Sequence, residues 1–394
     1  MSNLVSADLW DDLGLWDGSA HRFGHCVLHI GMEKTGTTTL QDMLGANRTA
    51  LLEAGYFVPN TLAPYAKRAN HERLTTFALS DTKLSDDLRR NAKLSNEDDL
   101  AHHREAVAQA LRDEILALPD TVSNSARTLL LSNEHCQSRL TEPDEVRRLK
   151  TFLDEFTESY RIVVYLRPQH DVAVSLYDQA LKAGYADIPL LPDYSGRSPL
   201  WVHRGFFDYA DLLERWGAVF GRDAMDVRLY RRDQLAGGDV VRDFLDRLGL
   251  DPDAYAAAPT TNASMSAAMQ IALNAINRYL QRSGSKVTPT QRDGLITCLQ
   301  AQSRGSGRRP ARREAAAFYH SFALSNEAVR AQYFPDQDTL FDSGLDRYSE
   351  TVDEPDEVDC LAEALISING ALSRVLAAAT NAQPAPHGQV ITTR

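Results

Sequence analysis

The sequence is poor in cysteine and has no long apolar run. Its four cysteines, Cys26, Cys136, Cys298 and Cys360, form no CxxC pair, which excludes a zinc knuckle and a redox dithiol. No stretch reaches the roughly 18 apolar residues of a membrane helix. The acidic N-terminal segment also lacks the basic flank and apolar centre of a signal peptide. We therefore expect a reduced, cytoplasmic protein with no membrane span.

Basic residues are fewer than acidic residues. The 394-residue chain has 42 Lys and Arg against 54 Asp and Glu, which gives a formal net charge of −12. A general nucleic-acid-binding protein needs a dominant basic surface, so nucleic acid is not an expected partner. Because 43% of the residues are hydrophobic, the chain has ample material for a folded core.

Short apolar runs alternate with helical patterns between residues 25 and 249. The runs predict four buried strands, at Cys26–Ile30, Arg127–Ser132, Arg161–Leu166 and Asp226–Tyr230. Strands that alternate with helices indicate an α/β fold, here a P-loop-like parallel sheet flanked by helices. Ligands of such sheets bind beyond the carboxyl ends of the strands, so the functional residues are expected there.

The C-terminal third has a different, helical pattern. Residues 264–282 and 311–333 predict helices, and an apolar face from Leu361 to Val375 predicts a final amphipathic helix. This helix either covers the core or pairs with a second chain in a homodimer. The predicted organisation is an N-terminal arm at 1–24, a main domain at 25–345, an acidic segment with the amphipathic helix at 346–380, and a disordered tail at 381–394.

The segment Gly31–Leu40 (GMEKTGTTTL) places a glycine, a lysine and several hydroxyl residues between a strand and a helix. Free backbone N–H groups, the helix dipole and threonine hydroxyls together favour a bound phosphate. A kinase-type P-loop has its lysine directly after the last glycine, whereas here Thr37 follows Gly36 and the lysine is Lys34. The alternative is that Thr37–Thr39 only cap a helix and that Lys34 is solvated.

Arg167 and Ser175, in the segment RPQHDVAVSLY, form a second candidate phosphate contact. Arg167 follows a predicted strand, and Ser175 comes eight residues later in the next predicted helix. An arginine fork and a serine hydroxyl can bind one phosphate together. The alternative is an arginine that forms an ordinary ion pair at the start of a helix.

Together the two segments resemble the sulfotransferases that use 3′-phosphoadenosine-5′-phosphosulfate (PAPS). The K-x-G-T-T loop is similar to their 5′-phosphosulfate loop, and the R-x₇-S pattern is similar to their 3′-phosphate motif. Three later segments resemble the bacterial and heparan-type glycan branch: LYRRDQLAGGDVVRDFLDRLGLD, NASMS from Asn262, and FALSNEAVRAQYFP. The resemblance covers roughly residues 25–342. Glu33 stands where cytosolic steroid- and phenol-sulfating members often have proline.

The resemblance implies transfer of a sulfuryl group from PAPS to a hydroxyl or amine of an acceptor, without a metal. Lys34 would stabilise charge on the departing phosphate. Arg308 and Arg309 lie in a late basic segment that would close over the 3′-phosphate. The alternative for this basic segment is a solvated loop. The residues that the resemblance assigns to the donor are Lys34, Thr35, Gly36, Thr37, Thr38, Thr39, Arg167, Ser175, Arg308 and Arg309.

The expected acceptor is a glycan or a glycolipid, and a small alcohol is also compatible. Its pocket is expected in loops such as 58–95, which reads as an insertion, and 185–205. An acceptor hydroxyl also needs a general base. The predicted strand Arg127–Ser132 is followed by Asn133-Glu134-His135, at the carboxyl edge where the family has its base. This segment offers both residue types that the family uses, and Glu134 is favoured over His135 because the other motifs resemble the glycan branch.

Two other functions remain open from the sequence. A nucleotide-dependent kinase on a related P-loop fold would need Mg²⁺-ATP and a lysine after Gly36, where the sequence has Thr37. A non-catalytic nucleotide-binding protein would keep the phosphate loop but would not depend on Glu134 or His135.

Overall fold

The computed structural model describes residues 23–65, 67–83, 86–118, 127–196, 201–257, 264–352 and 354–381. Most of the predicted arm and tail therefore lies outside the described residues, as does Asn262. The chain divides into two compact units. The first comprises Met1–Val172, Arg204–Thr261 and Tyr319–Ser343, and the second comprises Ala173–His203, Asn262–Phe318 and Gly344–Arg394.

The first unit is built on five parallel strands in the order β2-β3-β1-β4-β5. They are β1 (His25–Gly31), β2 (Tyr56–Phe57), β3 (Thr128–Ser132), β4 (Tyr160–Leu166) and β5 (Met225–Leu229). The four predicted strands are confirmed to within one residue at each end, and the predicted parallel α/β class is confirmed with them. The sequence pattern missed β2, because two residues carry no periodicity.

Helices connect and cover the strands. In chain order they are α1 (Thr37–Ala46), α2 (Arg48–Glu53), α3 (Glu72–Ala78), α4 (Asp87–Asn91), α5 (Glu97–Leu116), α6 (His135–Arg139), α7 (Pro143–Asp154), α8 (Gln169–Ala183), α9 (Tyr209–Phe220), α10 (Val240–Arg247), α11 (Ala267–Ser283), α12 (Pro289–Gln302), α13 (Arg312–His320), α14 (Ala323–Tyr333) and α15 (Glu357–Asn381). Within the described residues, no helix is both long enough and apolar enough to cross a membrane.

Both faces of the sheet are buried, which explains why its strands read as continuous apolar runs. On one face, Val27 and Val163 pack with Leu40 of α1 and Phe244 of α10. Successive side chains of a strand point to opposite faces, and Leu28, the neighbour of Val27, is also fully buried. The sheet is therefore covered on both sides by apolar contacts that hold β1 and α1 in fixed positions.

Charged groups fix α10 to the sheet. The carboxylate of Asp243 accepts hydrogen bonds from the Tyr165 hydroxyl at 2.8 Å, the Arg228 guanidinium at 2.8 Å and the backbone N–H of Ala236 at 3.1 Å. Burial alone would raise the pKa of Asp243, but the bonds from Arg228 and Tyr165 lower it, so the group is ionised at neutral pH. These bonds fix the start of α10 beside the loop that follows β1.

Two local predictions differ from the structure. The stretch 58–95, expected as an insertion without a period, contains the short helices α3 and α4. Residues 311–333, expected as one helical stretch, form α13 and α14 with a break between them. Short helices such as α3 bury too few turns to produce a clear 3.6-residue pattern in the sequence.

The second unit is helical, which confirms the predicted helical C-terminal part. Its core includes Met269 and Leu273 of α11 together with Cys360 and Ala364 of α15. The predicted apolar face of the last helix is wrong in one respect, because Leu365 is 67% exposed. The small residues Cys360 and Ala364 face α11 instead, since small side chains let two helices approach closely.

Candidate functional site

The loop between β1 and α1 is shaped by three residues with positive φ. These are Gly31 (φ +77°), Lys34 (φ +71°) and Gly36 (φ +80°), and Gly36 is the N-cap of α1. The first backbone N–H groups of a helix have no intrahelical acceptor, so the N–H groups of Thr37, Thr38 and Thr39 are presented at the mouth of this loop. A helix start of this kind attracts phosphate and similar anions.

The four threonines of the loop have different surroundings. Thr35 is buried, and its hydroxyl donates to the carbonyl of Met32 at 2.7 Å, which closes the loop on itself. Thr37 is buried, whereas Thr38 and Thr39 are partly exposed. The hydroxyl of Thr35 is therefore used inside the protein, while Thr38 and Thr39 can still reach an outside ligand.

Both glycines of the loop lie against other elements. A Cβ added at Gly31 would be 2.4 Å from Cα of Glu134, and one added at Gly36 would be 2.7 Å from Cγ1 of Val240. No real side chain is accommodated at such distances. The close approach at Gly31 brings the end of β3, with Glu134, directly against the start of the loop between β1 and α1.

Glu134 and His135 lie at the carboxyl end of β3, as predicted, but they face different neighbours. The Gln41 amide of α1 donates a hydrogen bond to the Glu134 carboxylate. The His135 Nε2 atom instead lies 3.8 Å from the carboxylate of Glu72 on α3. Burial raises the pKa of Glu72; the charge of His135 opposes this rise and that of Glu134 adds to it. Glu134 therefore contacts α1, and His135 contacts α3.

Arg167, at the end of β4, reaches the same loop. Its Nη1 atom donates to the backbone carbonyl of Lys34 at 3.1 Å, and its guanidinium carbon lies 5.9 Å from the ring centroid of Tyr230. The Tyr209 hydroxyl donates to the carbonyl of Arg167 at 2.6 Å. The structure therefore places the Arg167 guanidinium on the backbone of Lys34. It also adds Tyr209 and Tyr230, which sequence reasoning missed.

A buried amide pair supports the start of α8. Gln169 Nε2 donates to Asn326 Oδ1 at 2.6 Å, and Asn326 Nδ2 donates to Gln169 Oε1 at 3.2 Å. Next to it, Ser325 donates to the carboxylate of Asp208 at 2.8 Å. The segment FALSNEAVRAQYFP, noted in the sequence for its resemblance alone, therefore anchors the turn that carries Arg167. Sequence reasoning could not show that Asn326 pairs with Gln169, because the two residues are 157 positions apart.

The other predicted donor residues, Ser175, Arg308 and Arg309, belong to the second unit. Ser175 is half-buried on α8, and Arg309 is exposed. Arg308 donates to the Tyr177 hydroxyl at 2.6 Å and forms an ion pair with Glu354. Arg308 and Arg309 line a cavity of about 360 Å³. In the described part of the chain, no group of His, Cys, Asp and Glu is arranged to hold a metal ion.

Comparisons with known proteins give distant similarities. No family model matches the chain. An uncharacterized protein of Archaeoglobus fulgidus is 28% identical over 222 residues, which are 55% of this chain and 57% of that relative's length. The crystal structure of a sulfotransferase from Alicyclobacillus acidocaldarius is similar over 77% of this chain and 94% of that chain, with a TM-score of 0.40 and 16% identity.

Replacing Gly31 with alanine is expected to destabilise the first unit, because the new Cβ would overlap Glu134 and φ is positive there. The backbone strain alone costs roughly 1–2 kcal/mol, and the overlap adds to it. We expect a loss of at least about 2 kcal/mol in urea-induced unfolding. Gly24→Ala is the matched control, since nothing lies within 4 Å of its Cβ. Equal unfolding midpoints for the two variants would contradict the assigned close approach.

Proposed function

We propose that this chain is a sulfotransferase that moves a sulfuryl group from PAPS to an acceptor hydroxyl. The proposal is carried by three groups that meet in the first unit. They are the loop at Gly31–Thr39, Arg167, which donates to the carbonyl of Lys34, and Glu134, which accepts a hydrogen bond from α1. A phosphate cradle, a cation and a carboxylate are what an in-line transfer between a phosphosulfate and a hydroxyl requires.

At the donor end, the N–H groups of Thr37–Thr39 and the hydroxyls of Thr38 and Thr39 bind the 5′-phosphosulfate. Lys34 stabilises the negative charge that builds on the phosphate oxygen as the sulfuryl group leaves, in the way that loop lysines act in phosphoryl transfer. Arg167 binds the 3′-phosphate with the planar fork that suits phosphate recognition. The roles of Ser175, Arg308 and Arg309 at the same phosphate stay predictions from the resemblance.

At the acceptor end, Glu134 is the general base. It removes the hydroxyl proton while the acceptor oxygen forms a bond to sulfur. The bond between sulfur and the 5′-phosphate oxygen breaks at the same time, and the electron pair leaves with adenosine 3′,5′-bisphosphate. The contact of Gln41 with Glu134 supports this choice over His135, which faces Glu72. We propose a glycan or glycolipid as the acceptor, from the resemblance alone.

Adenosine 3′,5′-bisphosphate is expected to raise the thermal stability of the protein in the presence of EDTA. A ligand at a hundred times its Kd adds about 2.7 kcal/mol of stability. Arg167→Ala should abolish most of this gain, because it removes the 3′-phosphate contact. Arg222→Ala is the matched control, since Arg222 forms an exposed ion pair with Glu214. Stabilisation by Mg²⁺-ATP alone would overturn the proposal in favour of a kinase.

Glu134→Gln is expected to slow sulfuryl transfer by about 10² to 10⁴, the usual contribution of a general base. The affinity for adenosine 3′,5′-bisphosphate should stay within about threefold of the original value, because the donor contacts are unchanged. The measurement is single-turnover transfer from ³⁵S-labelled PAPS to a chito-oligosaccharide, a glycosylceramide and 2-naphthol. His135→Gln should cost less than about tenfold. A larger loss in His135→Gln than in Glu134→Gln would assign the base to His135 instead.

A further inference from the structure

Gln41 is a buried polar residue to which the proposed reaction gives no role. It lies on α1, four residues after Thr37, and only 1% of it is exposed. Its Nε2 atom donates to the Glu134 carboxylate and, at 3.5 Å, to the Ser132 hydroxyl. A buried amide with two such acceptors is held in one orientation, because a carboxylate can only accept hydrogen bonds.

The second acceptor, Ser132, is itself oriented by His29. The Ser132 hydroxyl lies 2.9 Å from Nδ1 of His29, and burial lowers the pKa of His29 to about 3. His29 is therefore neutral at physiological pH, and in the tautomer protonated at Nε2 its Nδ1 atom accepts a hydrogen bond from the Ser132 hydroxyl. The Ser132 oxygen then accepts a hydrogen bond from Gln41. The Gln41 amide therefore turns its N–H groups, and not its oxygen, toward Ser132 and Glu134.

The backbone around Gln41 is fixed as well. The N–H of Ala69 donates to the Gln41 carbonyl at 3.0 Å, and the neighbouring Leu40 is fully buried. Gly31 holds the backbone of Glu134 from the other side. The carboxylate is thus connected by one amide to the helix whose first turn forms the phosphate loop.

We propose that Gln41 is a positioning residue whose amide holds the Glu134 carboxylate in a fixed place relative to the loop between β1 and α1. An N–H donor stabilises a charged carboxylate over its neutral form. The consequence for catalysis rests on the proposed function, whereas the effect on the ionisation of Glu134 does not. Other titratable groups also act around Glu134, namely Glu72 from α3 and His135 and Cys136 from α6, and all three are retained in the variants below.

The test compares Gln41→Met with the unchanged protein. Glutamate is labelled with ¹³C at the side-chain carboxyl, and the Glu134 signal is identified by its loss in Glu134→Gln. In Gln41→Met the pH midpoint of that signal is expected to rise by about one unit, which is a tenfold change in the protonation equilibrium. The acidic limb of kcat should move to higher pH by the same amount, with the KM for PAPS within about threefold.

Gln137→Met is the matched control. Gln137 is also buried, but its amide donates to the backbone carbonyl of Phe206 at 3.1 Å and not to Glu134. It is expected to leave the Glu134 midpoint where it was. If Gln41→Met does not fold, the nearly isosteric Gln41→Glu takes its place, and the repulsion of two adjacent carboxyls should raise the midpoint further.

The two proposals fail in different ways. A shifted Glu134 midpoint without sulfuryl transfer in any variant would support the contact and overturn the proposed reaction. An unchanged midpoint in Gln41→Met, with its kcat limb also unchanged, would overturn the positioning role even if the protein transfers sulfuryl groups.

Discussion

The pairing of β1 with β3 on one side and with β4 on the other is the constraint on which the candidate site depends. Parallel strands end at the same edge of a sheet, so this order places the ends of β3, β1 and β4 side by side. Gly31, Glu134 and Arg167 are the residues at or just beyond these ends. Their proximity follows from strand order, and the Arg167 side chain then reaches the carbonyl of Lys34.

Buried hydrogen bonds then hold the residues at these strand ends in fixed positions. The amide of Gln41 joins α1 to Glu134, and the amide pair of Gln169 and Asn326 supports the turn after Arg167. A buried polar group without a partner is costly, so each of these pairs strongly favours a single arrangement. Such fixed contacts beside the loop between β1 and α1 suit a reaction that depends on positioning and charge stabilisation.

The sequence predicted the strands and the loop because their signals are local. Apolar runs such as Arg161–Leu166 mark buried strands. The glycines of the loop indicate a tight turn, and the threonines after them indicate the start of a helix. The partners Gln41, Tyr209 and Asn326 were missed, since a polar residue in a helix pattern does not reveal what it will contact. The face of α15 was misjudged for a related reason: Leu365 fits the apolar spacing, but packing favoured the small Cys360 and Ala364.

We propose that the loop between β1 and α1 binds the 5′-phosphate end of a 3′,5′-bisphosphate nucleotide. A crystal structure with adenosine 3′,5′-bisphosphate tests it most directly. We expect the 5′-phosphate within hydrogen-bond distance of the N–H groups of Thr37–Thr39, and the 3′-phosphate against Arg167. A nucleotide bound away from this loop, or a loop that stays empty at saturating nucleotide, would show that the loop is not the phosphate site.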